Sequence, residues 1–150
     1  VGTWDEAMGE ALALAAEASA GHDVPVGAVL VGPDGAILGR GRNRREADGD
    51  PTAHAEVLAL RAAAQALGRW RLDNCTLVVT LEPCLMCAGA LLAARVPRLV
   101  IGAWDDKAGA TGSQWDVVRD ARIGSKVEVI AGVRGDECAT VLHEFFEARR

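Results

Sequence analysis

An α/β fold, with a mixed sheet of about five strands and helices on both faces, is predicted by two features of the sequence. Apolar β-branched runs (VPVGAVLV, TLVVT, RLVIGA, VEVIAGV) alternate with Ala- and Leu-rich helical patterns (ALALAAEASA, AHAEVLALRAAAQAL, CLMCAGALLAAR). Each change of period is marked by Gly, Pro or Asp, so the order reads helix, strand, strand, helix, strand, helix, strand, strand, helix.

Taken in order, Thr3-Trp4-Asp5-Glu6 has the form of a capping box ahead of the first helix, and Gly21 is its natural stop. VPVGAVLV and AILGRGRN flank the turn GPDG as a hairpin, and the polar RREADGDPT reads as a loop. A helix beginning at Ala53-His54 carries Val57, Leu60, Ala64 and Leu67 on one stripe and ends at Gly68. TLVVT has the composition of a central strand, and LEP turns it into the helix CLMCAGALLAAR, which Pro97 stops. RLVIGA is the next strand. The long Gly-containing WDDKAGATGSQWD has more to do than connect, and VEVIAGV and DECATVLHEFFEARR supply the last strand and helix.

The chain has the length of one domain, expected to span residues 1–150, and its 50% hydrophobic and 25% charged content is that of a globular protein. Sixteen basic against twenty-one acidic side chains leave a net charge of −5, so nucleic acid would have to be held locally. Local Arg clusters exist in RGRNRR, in RWR and at the terminal pair; phosphate contacts there predict a sharp salt dependence of binding. No apolar run is long enough to cross a bilayer and no signal peptide is visible. Four cysteines are too sparse for a secreted disulfide scaffold, which points to a reducing cytoplasm. His22 and His143 read as structural, Cys75 and Cys138 as small buried hydrophobes, and Met8 and Met86 as core.

Cys84 and Cys87 lie three apart at the start of a helix, on one side of its first turn and near its positive end, where thiolates form more easily. Three readings fit that pair. It is a thioredoxin-like redox couple; or it joins Cys75 and Cys138 in a closed structural zinc site; or it combines with one further ligand to leave a metal an open position for water. His54-Ala55-Glu56 at the start of the preceding helix bears on the third. Residues two apart do not share a helix face, yet His54 on the irregular first turn lets the two converge, one touching metal and the other handling protons.

PTAHAEVLALR and TLEPCLMCAGA resemble the zinc-dependent cytidine and adenosine deaminase superfamily, whose signature is H-x-E…P-C-x-x-C. VPVGAVLV, GRGRN, GAWDDKAGATGS and DECATVLHEFF extend the resemblance, over nearly the whole chain, to bacterial tRNA adenosine deaminases. The resemblance implies a three-layer cytidine deaminase-like fold and one zinc ion per chain, held by His54, Cys84 and Cys87, with Glu56 as general acid/base. It further implies that Asn43 hydrogen-bonds the flipped base, that Asp105 lies near the ribose, and that Phe145 and Phe146 line or underlie the groove for flanking nucleotides. The implied activity is hydrolytic deamination of adenosine to inosine at the wobble position of a tRNA anticodon stem-loop, by a cytoplasmic homodimer without membrane or dinucleotide cofactor. The alternative is a deaminase of a free base or nucleotide (guanine, cytosine or dCMP). Trp104 departs from the Arg of many relatives, and Gln114-Trp115 from a loop that tends to be apolar; both bear on flanking nucleotides and neither on the reaction.

Overall fold

Strands β1 (Gly27–Val31), β2 (Ile37–Arg42), β3 (Thr76–Leu81), β4 (Arg98–Ala103) and β5 (Glu128–Ile130) form one mixed sheet in the order β2-β1-β3-β4-β5. The computed structural model describes residues 2–124 and 126–150, with side chains from residue 4 onward. β1 runs antiparallel to both β2 and β3, whereas β3, β4 and β5 are parallel. A parallel step needs a crossover, which helix α4 (Leu85–Ala93) supplies between β3 and β4.

The period of two along each strand divides the core into two layers. Val29, Val31, Val78 and Val100 meet Met8 and Ala11 of helix α1 (Gly2–Ala20) and Cys138 of helix α5 (Gly135–Glu147) on one face. Leu30, Leu77, Val79, Leu99 and Ile101 meet Ala59 and Ala63 of helix α3 (Ala55–Leu67) and Leu91 of α4 on the other. The expected three-layer α/β architecture is therefore present.

Several local expectations shift. The capping reciprocity at Thr3 lies outside the described side chains. α1 ends at Ala20, but the residue that takes the left-handed turn is His22 (φ 67°) rather than Gly21. RREADGDPT is not all loop, since Arg45–Asp48 form a short helix, α2. Its first amides are held from a distance: Glu46 N and Ala47 N donate to the buried carboxylate of Asp23 at 2.7 and 3.1 Å. On α3 the innermost residues are Ala55, Ala59 and Ala63, while Val57, Ala64 and Leu67 are half-buried. The physical reason is β2, where Gly39 and Gly41 lie directly beneath the α3 backbone and leave room only for the smallest side chains. Met8 is fully buried as expected, but Met86 is exposed beside Leu85 on the outer side of α4.

Candidate metal and catalytic site

Two helix starts face each other across the α3–α4 layer. His54 is the N-cap of α3 (φ −78°, ψ 152°) and Cys84 the N-cap of α4 (φ −74°, ψ 178°), so both leave extended backbone just before a helix begins. Cys87, one turn into α4, is fully buried. His54 Nδ1 lies 3.7 Å from Cys84 Sγ and 3.6 Å from Cys87 Sγ, and the three donor atoms lie within 4.8 Å of one another. Zinc bonds of about 2.3 Å to sulfur and about 2.0–2.1 Å to nitrogen, at tetrahedral angles, put nitrogen and sulfur roughly 3.5 Å apart. The trio fits a zinc ion in both chemistry and spacing.

The charges of the trio point the same way. The Cys87 thiol donates toward Cys84, and this contact, with His54 alongside, pulls Cys84 down to about 4. The same contact, together with burial, drives Cys87 up, since a second thiolate beside the first is repelled. A divalent cation between them removes that repulsion and favours both thiolates. The hydrogen bond to Cys84 raises His54, against the opposing effect of burial. All four cysteines are free thiols, and Cys75 and Cys138 lie in opposite core layers, away from this cluster. Neither a Cys84–Cys87 disulfide nor a four-cysteine zinc clamp is present.

Glu56 occupies the first turn of α3, 4% exposed, and burial pushes its carboxyl up to about 7. It lines a cavity of about 200 Å³ together with His54 and Cys84. That is below the roughly 300 Å³ at which drug-sized pockets begin, and suits a ligand group the size of one nucleobase. Val24, Val26, Leu81 and Ala108 give the cavity apolar walls, and Asn43, Arg45, Glu82 and Asp105 give it polar ones.

The remaining residues expected at the site divide. Asn43 reaches the cavity with its amide oriented by the protein: Nδ2 donates to the Val24 carbonyl (3.2 Å) and Oδ1 accepts from Arg45 N (3.1 Å). That leaves one amide hydrogen and one lone pair for a ligand. Asp105 also lines the cavity, and its Oδ1 accepts from Lys107 N and Ala108 N at 3.1 Å each. Phe146 is half exposed and lines a neighbouring groove of about 350 Å³ with Trp104, Lys107 and Leu142. Phe145 is buried; its ring meets Phe146 edge-on at 5.3 Å and carries the Arg149 guanidinium 3.5 Å from its centroid. Of the arginines in RGRNRR, Arg45 lines the cavity, while Arg40 and Arg42 pair with Glu10 and Glu17 of α1. Sequence reasoning missed Glu82 and Asp23, two buried carboxylates that brace the site; each carries a distant loop or helix start, which no local pattern reveals.

Comparison with known proteins agrees with this geometry. The chain is 53% identical over 97% of its length to a tRNA(Ile)-lysidine synthase of Deinococcus deserti, of which it spans only 27%. It is 48% identical over 97% of its length to the tRNA-specific adenosine deaminase of Haemophilus influenzae, covering 84% of that protein. A solved structure from studies of A-to-I editing by tRNA:A34 deaminases at the wobble position of transfer RNA superimposes with a TM-score of 0.87 at 42% identity, over 91% of this chain and 99% of that one. Residues 3–103 match the profile of the cytidine and deoxycytidylate deaminase zinc-binding region, and with His54, Cys84 and Cys87 gathered beside Glu56, the chain belongs to that zinc-dependent deaminase family.

Proposed function

We propose that the chain, acting as one deaminase domain, hydrolyses adenosine to inosine at the wobble position of a tRNA anticodon loop. The observation that carries this reading is the three-donor cluster beside a buried Glu56 in a cavity the size of one nucleobase. The adenosine-deaminase relatives matched over most of their own length support the choice of base and of RNA.

His54, Cys84 and Cys87 hold the zinc, which supplies Lewis-acid activation of water when bound. Glu56 takes a proton from the attacking water, whose oxygen adds to carbon six of the adenine ring. The carboxyl passes that proton to the ring nitrogen, then takes the proton of the new hydroxyl on carbon six and delivers it to the departing amine, so adenosine and water become inosine and ammonia. A carboxyl pushed up toward neutrality is suited to both accepting and releasing a proton. Asn43 offers its remaining amide hydrogen and lone pair to the base edge, and the apolar walls take up the ring faces. Asp105 stands at the sugar side, and Phe146 borders the path of the flanking nucleotides, with Phe145 packed beneath it. An anticodon loop presents its bases already unpaired, which lowers the cost of extruding one.

The protein works in the cytoplasm, where free thiols persist; no helix among the described residues is long and apolar enough to cross a membrane. Exposed Leu85 and Met86 on α4 favour a homodimer.

Zinc-loaded protein incubated with a panel of anticodon stem-loops, free adenine, guanine and cytosine, and dCMP tests the assignment by release of inosine or ammonia. Conversion of an adenosine-bearing stem-loop is expected. Turnover of a free base or dCMP with none of the RNA would assign the chain to the other branch of deaminase chemistry.

A further inference from the structure

Glu82 is 2% exposed, takes no part in the proton transfers above, and directly follows the strand that leads to Cys84. Its own amide donates to the Ala103 carbonyl at 2.9 Å, which locks the end of β3 to the end of β4. Its carboxylate faces the loop that follows β4. Oε1 accepts from Asp105 N (2.9 Å) and the Ser113 hydroxyl (2.6 Å). Oε2 accepts from Thr111 N (3.0 Å), Ser113 N (3.1 Å) and, more weakly, the Thr111 hydroxyl (3.5 Å). One side chain therefore satisfies three backbone amides from both arms of the loop. Gly109 passes so close to the carboxylate that a methyl group there would collide with it. The neighbouring Pro83 carbonyl adds a bond from Ala110 N at 2.9 Å.

We propose that Glu82 is a positioning residue for substrate: its carboxylate sets the 105–113 loop so that Asp105 and Ala108 form one wall of the reactive cavity. Turning carboxylate into carboxamide is nearly isosteric, but it replaces one acceptor oxygen by an NH2 that faces amide donors. Either Asp105 and Ser113, or Thr111 and Ser113, then lose their acceptor. Such charge-assisted bonds are strong, and losing them frees the loop by about tenfold or more in its opening equilibrium. The metal cluster stands on the starts of α3 and α4, outside that loop, and keeps its ion.

The role in substrate positioning rests on the deaminase reading of the cavity, but the loop anchor can be tested without it. In zinc-loaded Glu82→Gln, hydrogen exchange at the amides of Asp105, Thr111 and Ser113 is expected to speed up by about tenfold while β3 and β4 amides keep their rates. Zinc content stays at the wild-type level. With the stem-loop substrate, KM rises by about tenfold and kcat changes less than KM does. Ser113→Ala, which removes the hydroxyl's contacts to Glu82 Oε1 and the Asp105 carbonyl and leaves the three amides bonded, is expected to move exchange and KM in the same direction by a smaller factor. Unchanged loop exchange in both variants, or freed loop amides with an unchanged KM, overturns the proposal. If the wild type converts no RNA, the functional reading fails and exchange alone decides whether Glu82 anchors the loop.

Discussion

Glu56 and Cys87 separate two tasks that the cluster performs together. Glu56 is buried and costs the fold something, since burial is what lifts its carboxyl to about 7. In Glu56→Ala, turnover is expected to fall by at least about 10²–10⁴-fold, the usual share of a general acid/base, while zinc stays bound and thermal stability holds or rises. In Cys87→Ser the ion is lost, whereas Cys75→Ser and Cys138→Ser retain it. Metal analysis beside a single-turnover assay reads both properties, and a Glu56→Ala protein that deaminates at the normal rate would sink the assignment.

Helix placement depends on glycine in the strands. Gly27 lies beneath Ala11 and Ala15 of α1, Gly39 and Gly41 beneath Ala55, Ala59 and Ala63 of α3, and Gly102 beneath Cys138 of α5. The contacts under α1 and α3 include helix backbone, so an added side chain has no flexible neighbour to push aside. The α3 contact bears on function because His54 and Glu56 begin that helix. Gly41→Val is expected to cost about 3 kcal/mol, the upper end of ordinary overpacking penalties, and to weaken zinc binding by lifting His54 away from the cysteines. Denaturant midpoints and zinc titration check this; an unchanged midpoint would mean that the helix has room to move. The sequence shows these glycines, but their partners on α3 are unreadable until the helix is laid on the sheet.

At the level of the whole molecule, the proposed RNA substrate and a net charge of −5 are reconciled by where the arginines sit. Arg40, Arg42 and Arg44 pair with Glu10, Glu17 and Asp48 at the surface, contacts worth at most about 1 kcal/mol each, which leaves their cations available to exchange partners. α4 exposes Leu85 and Met86, of which Met86 reads from the sequence as core. Pairing of two copies through this face covers them, so light scattering of the zinc-loaded protein is expected to give twice the chain mass. A monomer mass across the micromolar range would remove the dimer from the proposal.

The sequence by itself determined the alternation of strands and helices and showed H-x-E and P-C-x-x-C as two separate short motifs, which the family resemblance, not their spacing, joined into one site of His54, Glu56, Cys84 and Cys87. Those signals are legible because each is a short-range pattern of period or spacing. Spacing left the cysteine pair open among redox, structural and catalytic uses until the family resemblance favoured the last. Tertiary structure then separated Cys75 and Cys138 from the pair and brought His54 Nδ1 within 3.7 Å of both sulfurs. It also decided what local pattern could not encode: the slide of α3 onto Gly39 and Gly41, the short helix held by Asp23, and the loop held by Glu82. In each case the deciding contact joins residues far apart in the chain, where close packing and the need to satisfy buried polar groups outweigh local preference.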